Sequence, residues 1–355
     1  VGRPWSVDQL WFGSGPLAGL ARAALFPAEQ AYAAIVAARG ALYDRELLGS
    51  HAPPIPVLSI GNLTVGGTGK TPIAAWAAAE LMAAGGSPAI ILRGYGDDEP
   101  LVHARLHPSI PVITSADRIA GAHEARARGA DVAVLDDAFQ HRRIRREADW
   151  VLVSADRWTQ DRPRLLPAGP WREPVGALRR ASVAIVTRKA ASRSRADAVK
   201  AALGRSVPEI PVAVVHLAPD GLRSATGSES RVLDTLRGAR VRLIAAVGDP
   251  GALQAQIEGE GATVDPRFFP DHHAFTEREI AELAAGAGPD TLILCTLKDA
   301  VKIAPGWPRA APALWYVSQR VIVEDGLDQL SRSIRIVLRA RSSDPDAAGA
   351  RRPSL

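Results

Sequence analysis

A chain of 355 residues is long enough for two domains, each with its own core. A hydrophobic content of 47% beside 23% charged residues is that of an ordinary globular protein, and 43 basic against 38 acidic residues leave a mild +5 that suits anionic ligands or an anionic membrane surface and by itself implies no nucleic acid. Cys295 is the single cysteine, which excludes an internal disulfide and fits a reducing compartment, and no uncharged apolar run reaches the roughly 18 residues that span a bilayer.

In chain order, residues 9–21 carry no charge, and Trp5, Trp11, Phe12, Leu17, Leu20, Leu25 and Phe26 lie between flanking Arg3, Arg22, Arg39 and Arg45. That pattern predicts a helix lying in a membrane interface, or the same helix packed on its own domain. Val57–Ile60 reads as a buried strand running into Thr64-Val65-Gly66-Gly67-Thr68-Gly69-Lys70-Thr71, after which a helix runs to Ala84. Strand, glycine-rich turn and helix N-terminus form a phosphate cradle: the glycines let successive N–H groups point inward, Lys70 reaches the β- and γ-phosphates, and Thr71 places a hydroxyl on Mg²⁺. The usual spacing would put glycine at 64, where this chain has Thr64.

Ala89–Leu92 is the next strand, followed by Arg93-Gly94-Tyr95-Gly96 and then Asp97-Asp98-Glu99-Pro100, carboxylates placed to face a γ-phosphate. Short Val112–Thr114 and helical 116–128 precede the strand Asp131–Leu135, which ends in Asp136-Asp137, the arrangement that holds Mg²⁺ in nucleotide triphosphatases. The stretch Phe139–Arg146 is strongly basic. Strands at 150–154 and 183–187 enclose a Pro- and Arg-rich irregular segment, 155–180. Further strands are expected at 212–217, 241–247, 263–267, 292–296 and 314–317, with Asp271-His272-His273 among them as a second candidate base or a metal site.

The fold class is therefore α/β: a P-loop-type parallel sheet domain over 1–150, a second, smaller α/β domain over 151–324, a C-terminal helix near 325–340 that can return to the first domain, and a disordered tail from 341 to 355. Read alone, the residues leave open a kinase of a soluble acceptor and a nucleotide-driven switch protein. No obligate protein partner is indicated.

Taken together, Val65–Pro72, Arg93–Gly96, Asp98–Pro100, Asp136–His141, Leu166–Pro174, Asp271–Thr276 and Thr296–Lys302 resemble, in order, the motifs of the tetraacyldisaccharide 4′-kinases. The resemblance implies ATP and Mg²⁺ as cofactors, transfer of the γ-phosphate to the 4′-hydroxyl of a tetraacylated glucosamine disaccharide 1-phosphate, and formation of lipid IVA on the cytoplasmic face of a Gram-negative inner membrane, which the protein meets peripherally. It further implies catalytic roles for Lys70, Asp98 and its partner His272, a metal site at Thr71, Asp136 and Asp137, and acceptor binding by Arg93, Tyr95 and Glu173. The chain departs from the pattern in a shortened segment between Gly96 and Asp98, which leaves Asp97 as an alternative base, and in Ala138 and Leu297.

Overall fold

The computed structural model describes residues 7–94, 98–158, 163–285, 288 and 290–341. Tyr95, Gly96 and Asp97 lie outside that set, as do Trp5 and the tail beyond 341. Three N-terminal helices, α1 (Val7–Phe12), α2 (Pro16–Ala24) and α3 (Phe26–Asp44), precede an alternation of strands and helices: β1 (Val57–Asn62), α4 (Lys70–Ala83), β2 (Pro88–Leu92), α5 (Asp98–Leu106), β3 (Val112–Thr114), α6 (Arg118–Ala127), β4 (Val132–Asp136), β5 (Ala148–Ser154), β6 (Val183–Arg188) and α7 (Arg193–Ser206). The chain continues through β7 (Val212–Ser224), β8 (Ser230–Arg231), β9 (Arg240–Ala245), α8 (Pro250–Gly259), β10 (Thr263–Phe268), α9 (Glu277–Ala285), β11 (Thr291–Cys295), α10 (Leu297–Ile303), β12 (Leu314–Asp325) and α11 (Leu327–Ala340).

All the strands join one sheet in the order β10-β9-β11-β12-β7-β6-β5-β1-β4-β2-β3, with β8 beside β7. Pairing is parallel except at β7–β12 and β7–β8. β1 is the switch point, flanked by β4 on one side and β5 on the other, so the loops after β1, β4 and β5 open at one edge where ligands of such sheets bind.

Every residue of β1 is buried, because helices cover both faces of the sheet. Leu58 and Ile60 pack against Ile73, Ala77 and Leu81 of α4 and Leu330, Ile334 and Val337 of α11, whereas Val57 faces Ala122 and Ala125 of α6. The i, i+4, i+7 spacing of the α11 triplet is the apolar stripe that lets a charged helix dock there. A separate cluster joins Val241, Leu243, Leu294 and Trp315 of the sheet to Leu253 and Ile257 of α8.

Two differences from the sequence expectation have physical causes. β7 and β12 run on to Ser224 and Asp325, well past the expected ends at 217 and 317. Pro219 and Gly221 read as a turn, but the pairing slips there, Ser318 opposing Gly221 and Gln319 opposing Pro219, so a bulge at Asp220 absorbs the proline. No helix is expected between the second strand and Val112, yet α5 opens there with Asp98 and Glu99, whose charges complement the helix dipole.

Candidate active site

The turn after β1 is held from both sides. Asn62 Nδ2 donates to Thr68 Oγ1 at 2.8 Å, Thr187 Oγ1 donates to the Thr68 carbonyl at 2.8 Å, and Lys189 Nζ donates to the Gly67 carbonyl at 2.9 Å. Thr64 bridges to Trp171, and Val65 N donates to the Pro170 carbonyl at 2.8 Å. Gly69 enters α4 at φ 87° and supplies no capping side chain, so the first N–H groups of that helix keep no side-chain partner there and form an anion site. A Cβ at Gly248 would stand 2.8 Å from the Gly67 nitrogen, which brings the loop after β9 directly against the cradle.

Lys70 Nζ lies 3.8 Å from Asp137 Oδ1, and Arg172 donates to the same oxygen at 2.9 Å. Asp137 holds the left-handed region at φ 52°. Burial opposes its ionisation, yet the charges of Lys70 and Arg172 outweigh that and hold the carboxyl below the usual range. Its neighbour Asp136 is buried at the end of β4, with Oδ2 bonded at 2.9 Å to His103 Nε2 and Oδ1 without a hydrogen-bond partner among the described residues.

The sequence separates Asp98 and His272 by 174 positions, and the fold places His272 Nδ1 3.2 Å from Asp98 Oδ1. Asp98 is 2% exposed at the start of α5. Lys298 and Lys302, one turn apart on α10, set their ammonium groups 4.0 and 3.7 Å from Asp98 Oδ2. Lys298 Nζ also stands 2.9 Å from His272 Nε2. An ammonium only donates, so Nε2 accepts and Nδ1 carries the proton given to Asp98. Glu99 sits beside this group; burial first, then the charge of Asp136, raises its carboxyl above the ordinary value.

The adjacent histidines part company: His273 bonds Glu279 at 3.1 Å and stacks on Phe269, so the two do not share an ion. Among the described residues no group of three or more His, Cys, Asp or Glu side chains could hold a metal. Glu173 is buried and accepts from Arg180 at 2.8 Å, and its Oε1 has no hydrogen-bond partner among the described residues. Arg93 follows β2, and its charge, after burial, pulls buried Arg118 below the ordinary guanidinium value, while Asp137, Asp136 and Glu99 act the other way. Tyr95 is outside the described residues.

Sequence reasoning assigned no role to His103 or Arg118, and it quoted Lys298 and Lys302 only within a motif. For the two lysines a signal existed: their i, i+4 spacing puts both on one face of a short helix. Lone His103 and Arg118 carry no such signal.

His141, in the loop after β4, is held down to about 4 by burial first and then by Arg118 and Arg146. The folded value lies below the unfolded one near 6.5, so the neutral form is favoured by folding. Stability from this group is present above pH 6.5 and falls as pH drops toward 4, with a full effect of roughly 2 kcal/mol. Urea unfolding of H141Q and the parent at pH 7 and pH 5 checks this: the parent should lose more stability between the two, and equal losses would refute it.

A mostly parallel sheet with a glycine-rich turn after its switch-point strand, a lysine opening the next helix, a carboxylate at the neighbouring strand end and a buried aspartate paired with a histidine defines a P-loop kinase. The family profile described as LpxK, tetraacyldisaccharide-1-P 4′-kinase, matches residues 21–335. A tetraacyldisaccharide 4′-kinase of Anaeromyxobacter sp. (strain Fw109-5) is 37% identical over 361 residues, spanning 94% of this chain and 96% of the relative. One from Halorhodospira halophila (strain DSM 244 / SL1) is 38% identical over 332 residues, with 88% and 91% covered. The crystal structure of an "apo" form of LpxK from Aquifex aeolicus in complex with ATP superposes with a TM-score of 0.67 at 25% identity, over 90% of this chain and 98% of that one. The chain belongs to the tetraacyldisaccharide 4′-kinase family.

Proposed function

We propose that this protein transfers the γ-phosphate of ATP to the 4′-hydroxyl of a tetraacylated glucosamine disaccharide 1-phosphate, giving lipid IVA. The observation that carries the reading is the buried Asp98, paired with His272 at 3.2 Å and followed by Glu99, which feels the charges of Asp136, Lys298, His272 and Lys70. Asp98 accepts the proton of the acceptor hydroxyl as it attacks, while His272 donates a hydrogen bond to the carboxylate and the two lysines balance its charge. Lys70 and the N–H groups opening α4 stabilise charge on the transferring phosphoryl group. Residues 64–71 hold the triphosphate. Arg93, which follows β2, Tyr95, and Glu173, whose Oε1 has no hydrogen-bond partner among the described residues, serve the acceptor.

Mg²⁺ fits the residues present: Asp136 keeps one buried oxygen without a hydrogen-bond partner among the described residues, and its charge works against ionisation of nearby Glu99. Thr71, Asp136 and Asp137 would hold it through hard oxygen donors. When bound, the ion neutralises the β- and γ-phosphate oxygens.

Among the described residues no helix is long and apolar enough to cross a membrane. One side of the N-terminal helices is docked: Tyr32 Oη donates to the Arg172 carbonyl at 3.0 Å and Glu29 accepts from Leu165 N at 2.8 Å. Leu17, Leu20, Phe26 and Ile35 remain more than half exposed, at 66%, 68%, 51% and 66%. Those side chains reach into the cytoplasmic face of the inner membrane and bring a water-filled site to an acceptor whose acyl chains stay in lipid. Burying a leucine there is worth about 1.5–3 kcal/mol. L17E/L20E should therefore lower co-sedimentation with anionic vesicles at least tenfold while ATP affinity holds; undiminished sedimentation would remove these helices from the membrane role.

The deciding experiment is transfer from γ-labelled ATP to the tetraacyl-disaccharide 1-phosphate in detergent micelles. A labelled lipid is expected. Its absence with ATP still bound would turn the search to a soluble acceptor.

A further inference from the structure

α5 brings more than the base to the site. His103 lies four residues after Glu99 and so on the same face of the helix, facing β4. Its side chain is fully buried, with Nε2 2.9 Å from Asp136 Oδ2, and neither its Nδ1 nor Asp136 Oδ1 has a hydrogen-bond partner among the described residues. An ionised carboxylate only accepts, so Nε2 carries the proton. Nothing in the transfer chemistry uses this histidine.

We infer that His103 is a positioning residue: by engaging Oδ2 it fixes the Asp136 carboxylate and reserves Oδ1 for the divalent cation. The inference rests on the reading of Asp136 as a cation ligand. Without the ring, the carboxylate is free to turn about its side-chain bonds, and two buried oxygens in place of one lack a partner. Partners of this kind around metal ligands change affinity by about 10–100-fold when removed. The same bond ties the helix that opens with Asp98 to the strand that ends in Asp136, so cation and base are placed by one element.

Two amides separate positioning from packing. In H103Q the terminal Nε2 is as many bonds from the backbone as the histidine Nε2, and in H103N the amide falls short. Mn²⁺ binding to the full-length protein with a non-hydrolysable ATP analogue, followed by electron paramagnetic resonance, reads the site without turnover. H103N should bind Mn²⁺ at least tenfold more weakly than the parent, and H103Q within about threefold of it. Equal affinity in all three would overturn the inference and leave His103 a packing residue. D136N separates the two levels: if it binds Mn²⁺ as the parent does, the cation reading of Asp136 falls and takes this inference with it. If D136N alone loses binding, only the role of His103 is refuted.

Discussion

Asp98→Asn is expected to lower kcat by about 10²–10⁴-fold with little change in ATP affinity, the range by which a positioned general base contributes. Asparagine keeps the shape of the side chain and can still meet His272, but it cannot accept the hydroxyl proton. Asp98 is buried beside Lys298, Lys302 and His272, so loss of its charge leaves the two ammonium groups less compensated; a melting curve beside the rate measurement separates lost chemistry from lost fold. Asp97→Asn, made in parallel, settles which of the neighbours acts. A full rate in D98N with a collapse in D97N would move the base by one residue.

Lys70→Ala comes next in size, with kcat reduced about 10²–10³-fold and weaker ATP binding. The ammonium at 3.8 Å from Asp137 is the one cation that the start of α4 carries toward the phosphates. K70R should recover little, because a planar fork does not replace a compact point charge at the end of a short turn. The variant also has a signature away from activity: with Lys70 gone, the Asp137 carboxyl loses the first of the charges that hold it low and should titrate at higher pH, measurable by carboxylate NMR. An unmoved Asp137 together with parental turnover would show that Lys70 stands apart from the site.

Much of the scaffold is legible because local rules and tertiary demands agree. Val57–Ile60 and Val132–Leu135 are continuous apolar runs, and a strand covered on both faces needs nothing else. Gly69 and Lys70 are readable as a phosphate turn because a buried strand precedes them and a helix follows, although Thr64 stands where the usual spacing has glycine. The strands at 212–217 and 314–317 were legible, but their extensions to Ser224 and Asp325 were not: in β7 Pro219 imitates a turn, and only the partner strand, slipping register at Gln319, shows otherwise. In the site, groups recorded in contiguous motifs were readable, whereas His103 and Arg118 were not. A single histidine or arginine in a helix is ordinarily a solvated or satisfied side chain, and what distinguishes these two is burial against Asp136 and its neighbours, which no local pattern encodes. Asp98 and His272 were readable one by one; their distance in space depends on the whole sheet.

Among the described residues β7 and β12 are the only long antiparallel pair, and the two parallel sets of strands are sutured through them. Asp98 hangs from one set, while His272, Lys298 and Lys302 come from elements beyond the ribbon. Pairing resists stretching along the hydrogen bonds but tolerates a wide range of twist between neighbouring strands. The 3.2 Å contact between Asp98 and His272 therefore joins groups held on opposite sides of this seam, and its length depends on how the two sets of strands are paired there.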